Sequence, residues 1–384
     1  MWYWAALYFL FGVVFVPLAK RAKADAERAT SESSENPSSY PSVTLIRPVK
    51  GTNASTEEAW LSWLGQTYSG KLTYVFSFQD PNDLGISLAR KLYAEADVEI
   101  LVHAIRDGFS GKASNLHYGV EKSESELLIF SDADMIAKPD TVSEIVARAR
   151  KGSAIVSCLP IHTHPKNLWA RLYATVWNSV LVGLWATSMS LKKAPGVAGG
   201  TVAFYRSDLD SIGGVAAFSD YVAEDLKMGA LFKSKGFEFI LGPIIQTKVG
   251  KISFTQYWNA LMRGAYVSWT SAEVGILRTI GLQLFSYGYA VVLIYGLLWQ
   301  RDLLPGAFAI LFLRMLFLSW FNFLAEGKFR LPLMTFFNDI MSLIILVVSI
   351  CQRQLSWAGV KYKVTRDGRM IKLRDPDSLQ KISF

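Results

Sequence analysis

Four long apolar stretches constrain this chain more than any other feature. The first has 17 residues without a charge, and the other three, near the opposite end, have 26, 22 and 20 residues: Trp2 to Leu18, Val274 to Trp299, Leu303 to Leu324 and Leu331 to Ile350. About 20 apolar residues are enough to cross the hydrocarbon core of a bilayer. We therefore predict a transmembrane anchor at residues 1–18 and a transmembrane region at residues 273–350.

The composition is that of a membrane protein. Apolar residues make up 51% of the 384 residues and charged residues 19%, whereas charged residues make up about 25% of a typical soluble domain. This argues against an ordinary soluble enzyme. The two cysteines, Cys158 and Cys351, lie far apart, which excludes a disulfide framework and a thiolate zinc site.

Basic residues beside the apolar stretches predict the orientation, because Lys and Arg near a span prefer the cytoplasmic side. Lys20, Arg21 and Lys23 follow the first stretch directly, which indicates a retained anchor and a cytoplasmic body, at the inner membrane if the source is bacterial. From Asp25 to Pro41 the chain is rich in Ser, Glu and Ala without apolar periodicity. We assign residues 19–40 to a linker.

The basic tail at residues 351–384 creates a conflict. Its charges predict a cytoplasmic location, yet four full crossings would leave it outside. Either one C-terminal segment is re-entrant or interfacial, or the 26-residue stretch is more than one element. Arg314 and Asp339 fall within the last two stretches, where they pair with each other, or one snorkels and the other lines a polar cavity.

The body at residues 41–272 alternates short β-rich runs with helical stretches, which predicts an α/β fold with a mostly parallel sheet. A helix is expected around Trp60 to Leu64. Four strands are expected, at Val43 to Arg47, Leu72 to Phe78, Val98 to Val102 and Leu127 to Phe130. Ligands bind at the carboxyl ends of such strands, and three acidic residues follow two of these ends: Asp80, Asp132 and Asp134.

Two acidic pairs carry candidate chemistry. On a turn leaving a strand, Asp132 and Asp134 can converge on one Mg²⁺ or Mn²⁺, which prefers oxygen ligands and shares them with substrate phosphates. Asp pairs are also common in exposed turns. Glu224 and Asp225 could supply a base for an attacking hydroxyl, or could interact only with the dipole at the start of a helix.

The order and spacing of eight short motifs carry a resemblance. The motifs are Pro48 to Gly51, Gln79-Asp80, Gly111 to Leu116, Ser131 to Asp134, Pro139 to Thr141, Gly213-Gly214, Asp220 to Asp225 and Trp357 to Tyr362. Together they resemble glycosyltransferases of families 2 and 21, above all the ceramide glucosyltransferases and their bacterial relatives, including hopanoid-associated glycosyltransferases. The likeness covers nearly the whole chain.

The resemblance implies a GT-A fold and an inverting transfer from a UDP-sugar, with glucose first among the candidates, to a lipid hydroxyl such as that of ceramide. It implies that Asp80 contacts the uracil or ribose, that Asp132 faces the ribose and diphosphate, and that Asp134 binds the metal. Asp225 would be the general base with Glu224 supporting it. Lys112 would lie near the donor; the alternative is a solvated surface lysine.

One motif departs from the family pattern. The family has (Q/R)-x-x-R-W after the base, whereas this chain has Arg263 followed by Gly264. Arg263 could still neutralise the departing diphosphate. The missing tryptophan leaves the platform for donor or acceptor unassigned, with Trp258 and Trp269 as candidate substitutes.

The stretch from Leu168 to Leu191 is rich in tryptophan and tyrosine. It predicts an interfacial helix close to the lipid acceptor, with a buried core helix as the alternative. His162 and His164 precede it and either contact the acceptor or are ordinary loop residues.

Two other classes of function compete with lipid glycosylation. A processive polysaccharide synthase shares the acidic motifs but normally keeps the tryptophan replaced here by Gly264. A non-catalytic scaffold is supported only by that same change. N-Acetylglucosamine, galactose or a uronic acid as the sugar, and diacylglycerol or a hopanoid lipid as the acceptor, also stay open. No nucleic-acid partner is expected.

Overall fold

A seven-stranded mixed sheet forms the body of the protein. The computed structural model describes residues 1–33, 40–181, 185, 188–189, 194, 196–270, 275–326, 332–352, 354–357 and 360–373. The strand order is β3-β2-β1-β4-β7-β5-β8. The strands are β1 (Val43–Pro48), β2 (Leu72–Phe78), β3 (Val98–Val102), β4 (Leu127–Ser131), β5 (Ala154–Cys158), β7 (Thr201–Tyr205) and β8 (Glu238–Leu241).

β1, β2, β3 and β4 are parallel to one another, so the predicted strands and their direction are confirmed. β7 runs antiparallel to both β4 and β5, which the sequence does not predict. A separate parallel pair, β6 (Pro160–Pro165) and β9 (Ile245–Gly250), lies beside this sheet.

Helices cover both faces of the sheet because side chains alternate along each buried strand. Leu45 packs with Trp60 and Trp63 on one face, and Ile46 packs with Leu116 on the other. The helices of the body are α2 (Thr56–Leu64), α3 (Leu84–Leu92), α4 (Gly111–Lys122), α5 (Thr141–Arg148), α6 (Leu168–Thr175), α7 (Arg206–Ser211) and α8 (Glu224–Ser234).

The first helix, α1 (Trp2–Ser33), is longer than predicted. The expected linker at residues 19–40 is helical as far as Ser33, and residues 34–39 lie outside the described part of the chain. Ala, Glu, Lys and Arg are strong helix formers even without an apolar stripe, which explains the continuation. The sequence is apolar and uncharged from Trp2 to Leu18, and this stretch is shorter than the C-terminal candidates for membrane spans.

Four α-helices follow β9 among the described residues: α9 (Phe254–Thr270), α10 (Gly275–Leu298), α11 (Leu304–Glu326) and α12 (Thr335–Gln352). Among the described residues, three helical segments are long and apolar enough to cross a membrane: Ile276–Leu298, Arg301–Trp320 and Thr335–Gln352. The 26-residue stretch therefore forms one helix and not two.

A buried ion pair joins these helices. Arg314 Nη2 lies 2.7 Å from Asp339 Oδ1, so of the two alternatives left open by the sequence the structure has the direct pair. The hydroxyl of Tyr289 donates to Asp339 at 2.7 Å, and Arg314 donates to the hydroxyl of Tyr8 at 2.9 Å. One polar cluster therefore links α1, α10, α11 and α12.

The basic tail is folded against the body. Three antiparallel strands, β10 (Gln354–Trp357), β11 (Val360–Val364) and β12 (Met370–Lys372), form a small sheet that we call the tail sheet. Val222 N donates to Gly368 O at 2.9 Å, and Met370 N donates to Asp220 O at 2.8 Å. The tail sheet is therefore hydrogen-bonded directly to the segment that precedes α8.

The predicted interfacial helix is described only in part. α6 ends at Thr175, and a π-helical segment continues over Val176–Leu181; most of residues 182–191 lie outside the described part of the chain. Leu172 is buried against Tyr257 and Met341. The helix thus packs between the body and the C-terminal helices.

Candidate active site

The site lies where the parallel strands end. β4 leads into Asp132, whose backbone N–H donates to Gly200 O at 2.8 Å. The carboxyl ends of β1, β2 and β4 share one edge because these strands are parallel. This is the position at which α/β sheets bind ligands.

Lys112 bridges two of the predicted site residues. Its Nζ lies 2.8 Å from Asp132 Oδ1 and 3.0 Å from Glu224 Oε1, and its side chain is 25% exposed. Burial alone would lower the pKa of Lys112, but the charges of Asp132 and Glu224 outweigh it and raise that pKa. Lys112 is therefore a charged member of the site and not a solvated surface lysine.

The helix that begins at Glu224 supplies the candidate base. Asp225 is partly buried in the first turn of α8, and its Oδ1 accepts from Leu226 N at 2.8 Å. Burial and the charge of Glu224 raise the pKa of Asp225 to about 6, although Lys112 acts in the opposite direction. A carboxylate with a pKa near the working pH suits a general base.

Gly199 and Gly200, directly before β7, bring the chain close to the carboxylate of Asp225. A Cβ at Gly199 would lie 2.7 Å from Asp225 Oδ2, and Gly200 has a φ of +107°, which favours glycine. A small cavity forms between this loop, β4 and α8. Its polar lining residues include Lys112, Asp132, Glu224 and Asp225, so the structure brings four of the predicted residues together.

Asp134 lies next to β9. Its Oδ2 accepts from Thr247 Oγ1 at 2.8 Å. Burial and the nearby charge of Asp132 raise the pKa of Asp134, so a cation between the two carboxylates would be favoured. Among the described residues, no group of three His, Cys, Asp or Glu side chains could hold a metal. The two carboxylates of Asp132 and Asp134 are the oxygen ligands that Mg²⁺ and Mn²⁺ prefer, and such ions usually take further ligands from water and substrate phosphates.

Three buried side chains hold the turn that carries the two aspartates. Trp60 Nε1 donates to Ala133 O and Trp63 Nε1 donates to Met135 O, both at 2.9 Å. The guanidinium of Arg47 donates to the same two carbonyls at 3.3 Å. Burial lowers the pKa of Arg47 to about 10 despite the nearby acidic groups. No pattern in the sequence predicts these contacts.

Asp80 lies at the same strand edge but away from this group. It is exposed, and its Oδ1 accepts from Asn82 N at 2.9 Å. It does not line the small cavity. The neighbouring Gln79 donates to Gly111 O and to Asn115 Oδ1, so this motif connects the end of β2 to the start of α4.

Arg263 lies on α9, and its charge acts on two groups of the site. It lowers the pKa of Asp225 and that of His162. Of the two candidate substitutes for the missing tryptophan, Trp269 is buried and donates to Ser349 Oγ at 3.0 Å. Trp258 is half-buried against Phe254. Trp269 is thus a packing residue of α9 and α12.

Known proteins share this architecture. A sequence model described as Glycosyl transferase family 21 matches residues 5–370. The chain is 20% identical over 357 residues to Ceramide glucosyltransferase 1 of Caenorhabditis elegans, and the alignment covers 86% of this chain and 73% of that protein.

Two solved structures align with much of this chain. A mannosyltransferase from Pyrobaculum calidifontis, in complex with GDP-Man and Mn²⁺, aligns with a TM-score of 0.53 and 16% identity, over 88% of this chain and 99% of that chain. Glucosyl-3-phosphoglycerate synthase from Mycobacterium tuberculosis aligns with a TM-score of 0.40 and 14% identity, over 63% of this chain and 86% of that chain. The mannosyltransferase confirms the predicted GT-A fold. By the match over most of its length, the chain belongs to glycosyltransferase family 21.

Proposed function

We propose that this glycosyltransferase transfers a sugar from a UDP-sugar to the hydroxyl of a membrane lipid, with inversion at the anomeric carbon. Glucose and ceramide are the first candidates, because the relative from Caenorhabditis elegans is a ceramide glucosyltransferase. The observation that carries the proposal is the partly buried Asp225, with its raised pKa, beside the pair of Lys112 and Asp132.

In this proposal Asp225 accepts the proton of the lipid hydroxyl as the hydroxyl oxygen attacks the anomeric carbon. The charge of Glu224 raises the pKa of Asp225 and that of Lys112 lowers it, and with burial the pKa is about 6. Lys112 and Arg263 supply positive charge toward the departing diphosphate. Asp134, with Asp132, would hold Mg²⁺ or Mn²⁺, which would offset the negative charge of the diphosphate.

The apolar helices of the chain support the proposal that the acceptor is a lipid. In the part of the chain that the structure describes, three helical segments are long and apolar enough to cross a membrane. α9, which carries Arg263, precedes them in the chain. A lipid hydroxyl could therefore approach the site from the bilayer. A processive synthase, in contrast, needs a channel for its polymer.

We also propose that the body and the tail sheet both lie on the cytoplasmic side. The tail sheet is hydrogen-bonded to Asp220 and Val222 of the body. The chain must therefore return to the side it left, so an even number of the three C-terminal helices crosses the bilayer.

α12 is the helix that we propose does not cross. It lies alongside α9 over its length: Tyr257 donates to Asn338 at 2.7 Å near one end, and Trp269 donates to Ser349 at 3.0 Å near the other. Asn338 also donates to Leu172 O of α6 at 3.2 Å. Both ends of α12 are thus held by elements that connect to the body.

UDP release from purified, detergent-solubilised protein tests the function. The assay uses Mn²⁺ or Mg²⁺ and a grid of UDP-sugars against ceramide, diacylglycerol and a hopanoid alcohol. We expect release that requires one sugar, one lipid and the metal, and that is lost in Asp134→Ala. Release that needs no lipid, or elongation of a polymer, would reject the lipid transferase in favour of a hydrolase or a synthase.

A further inference from the structure

His162 on β6 lies in an aromatic enclosure. Its ring stacks on Trp177 at a centroid distance of 5.5 Å and meets Tyr173 edge-on at 5.1 Å. The side chain of Asn178 accepts from His162 N at 2.7 Å and donates to His162 O at 2.8 Å. Both backbone groups are therefore fixed, and the orientation of the imidazole is determined by its neighbours.

One ring nitrogen of this histidine lacks a partner. His162 is only 8% exposed, and its Nδ1 has no partner with hydrogen-bond geometry within the described residues. The side chain of Asn178 lies near the ring and raises its pKa, but less than burial lowers it. Buried polar groups in native proteins are nearly always hydrogen-bonded. A buried nitrogen without a partner therefore indicates a ligand atom that completes the site.

The position of His162 connects it to the proposed catalytic residues. His162 pairs with Thr247 in the register of β6 and β9, and directly paired residues of neighbouring strands project to the same face. Thr247 is also the residue whose hydroxyl donates to Asp134. The charge of Arg263 acts on both His162 and Asp225. The side chain of His162 thus projects to the same face of this strand pair as Thr247.

The surroundings favour the acceptor over the donor as the missing partner. His162 does not line the small cavity that Lys112, Asp132 and Asp225 surround. Its aromatic neighbours Tyr173 and Trp177 belong to α6 and the π-helical segment, which pack against α9 and α11 respectively. His162 therefore lies beside elements that contact the C-terminal helices.

We infer that Nδ1 of His162 forms a hydrogen bond with a polar group of the acceptor lipid, a hydroxyl or amide close to the hydroxyl that reacts. This inference rests on the proposed function and adds a specificity-determining contact to it. Burial and the nearby Arg263 lower the pKa of His162 to about 4, so the imidazole is neutral at physiological pH. A neutral ring can accept from a hydroxyl or amide N–H, or donate to an oxygen, according to its tautomer.

Three variants separate this contact from a structural role. His162→Phe keeps an aromatic ring but removes the nitrogen. His162→Asn places a polar atom close to the position of Nδ1. His164→Asn is the matched control, because His164 is exposed and has a φ of +54°, a conformation that Asn tolerates.

The first measurement is steady-state transfer with short-chain ceramide and UDP-glucose. One lost hydrogen bond corresponds to an increase of about threefold to tenfold in the acceptor KM. We expect this increase in His162→Phe, with an unchanged KM for UDP-glucose, and recovery of most of it in His162→Asn. An unchanged acceptor KM in His162→Phe, or equal increases in both KM values together with a lower Tm, would overturn the inference.

The second measurement is equilibrium binding of a fluorescent short-chain ceramide without any donor. Weaker binding in His162→Phe than in wild type supports the acceptor contact even if no sugar is transferred, in which case only the proposed reaction fails. Equal binding by wild type and His162→Phe rejects the contact whatever the transfer assay gives.

Discussion

Asp225 derives its properties from three neighbouring charges. Burial and Glu224 raise its pKa to about 6, whereas Lys112 and, more weakly, Arg263 act in the opposite direction. Glu224 and Asp132 are in turn neutralised in part by the single ammonium of Lys112. A change at Lys112 should therefore appear as a change in the ionisation of Asp225.

The pH dependence of transfer tests this arrangement. A general base is active when deprotonated, so kcat/KM should rise with pH through about 6 and level off above about 7. Lys112→Met removes a charge that lowers the pKa of Asp225, and the rise should move to higher pH by about one unit. The measurement is UDP release between pH 5 and 9; the same profile in both proteins would contradict the assignment.

At the residue scale, the sequence predicts the acidic groups of the site better than the side chains that hold them in place. Asp132, Lys112 and Glu224 belong to short motifs, and the structure brings both carboxylates within 3.0 Å of Lys112 Nζ. Trp60 and Trp63 contact carbonyls more than 70 residues away. No local pattern encodes such contacts, since a buried tryptophan in a helix has the same sequence signal whether or not its N–H supports a site.

At the scale of elements, the tail sheet supports the segment before the proposed base. Val222 N and Asp220 O are paired with Gly368 and Met370, and Arg369 lies 3.3 Å from Asp220 Oδ2. Glu224 and Asp225 follow directly. The tail sheet therefore fixes the entry to α8 by backbone contacts.

Removal of the tail sheet tests its contribution. Deletion of residues 353–384 should lower kcat about tenfold or more, because small displacements of catalytic groups have effects of that size. The matched control deletes only residues 374–384, which follow β12, and should keep near-normal kcat. Both proteins should still bind UDP-glucose by calorimetry. Normal kcat in the longer deletion would exclude a role in positioning.

Short buried strands and long apolar helices are the elements that the sequence predicts well. β2 and β3 have the predicted bounds, because an apolar run bounded by turn residues has few alternatives. The tail sheet was not predicted. Its order depends on Leu355 and Val364, which are buried against Tyr266 and Trp269 of α9, and such tertiary contacts leave little trace in local sequence.

At the scale of the whole molecule, the open feature is how many of the C-terminal helices cross the bilayer. The predicted pairing of Arg314 with Asp339 is present in the structure, and the tail sheet contacts the body. Three full crossings after the body are incompatible with that contact. If one of the C-terminal helices does not cross, the basic tail can lie on the cytoplasmic side, as its charges predict.

Labelling of single cysteines with a membrane-impermeant maleimide tests the topology. In a background with Cys351→Ser, and with Cys158 left in place because it is buried, Glu57→Cys reports the body and Lys372→Cys reports the tail sheet. Both should label from the same side of sealed vesicles. Asp302→Cys, between α10 and α11, should label from the opposite side. If Lys372→Cys were instead labelled from the same side as Asp302→Cys, all three C-terminal helices would cross.

The most direct test of the central claim compares transfer and donor binding in Asp225→Asn. The amide keeps the size of the carboxylate but cannot take the proton of the lipid hydroxyl. The account predicts that transfer from UDP-glucose to ceramide falls by about a hundredfold or more, while the Kd for UDP-glucose stays close to the wild-type value. Near-normal turnover in this variant would show that Asp225 is not the base and would contradict the proposed mechanism.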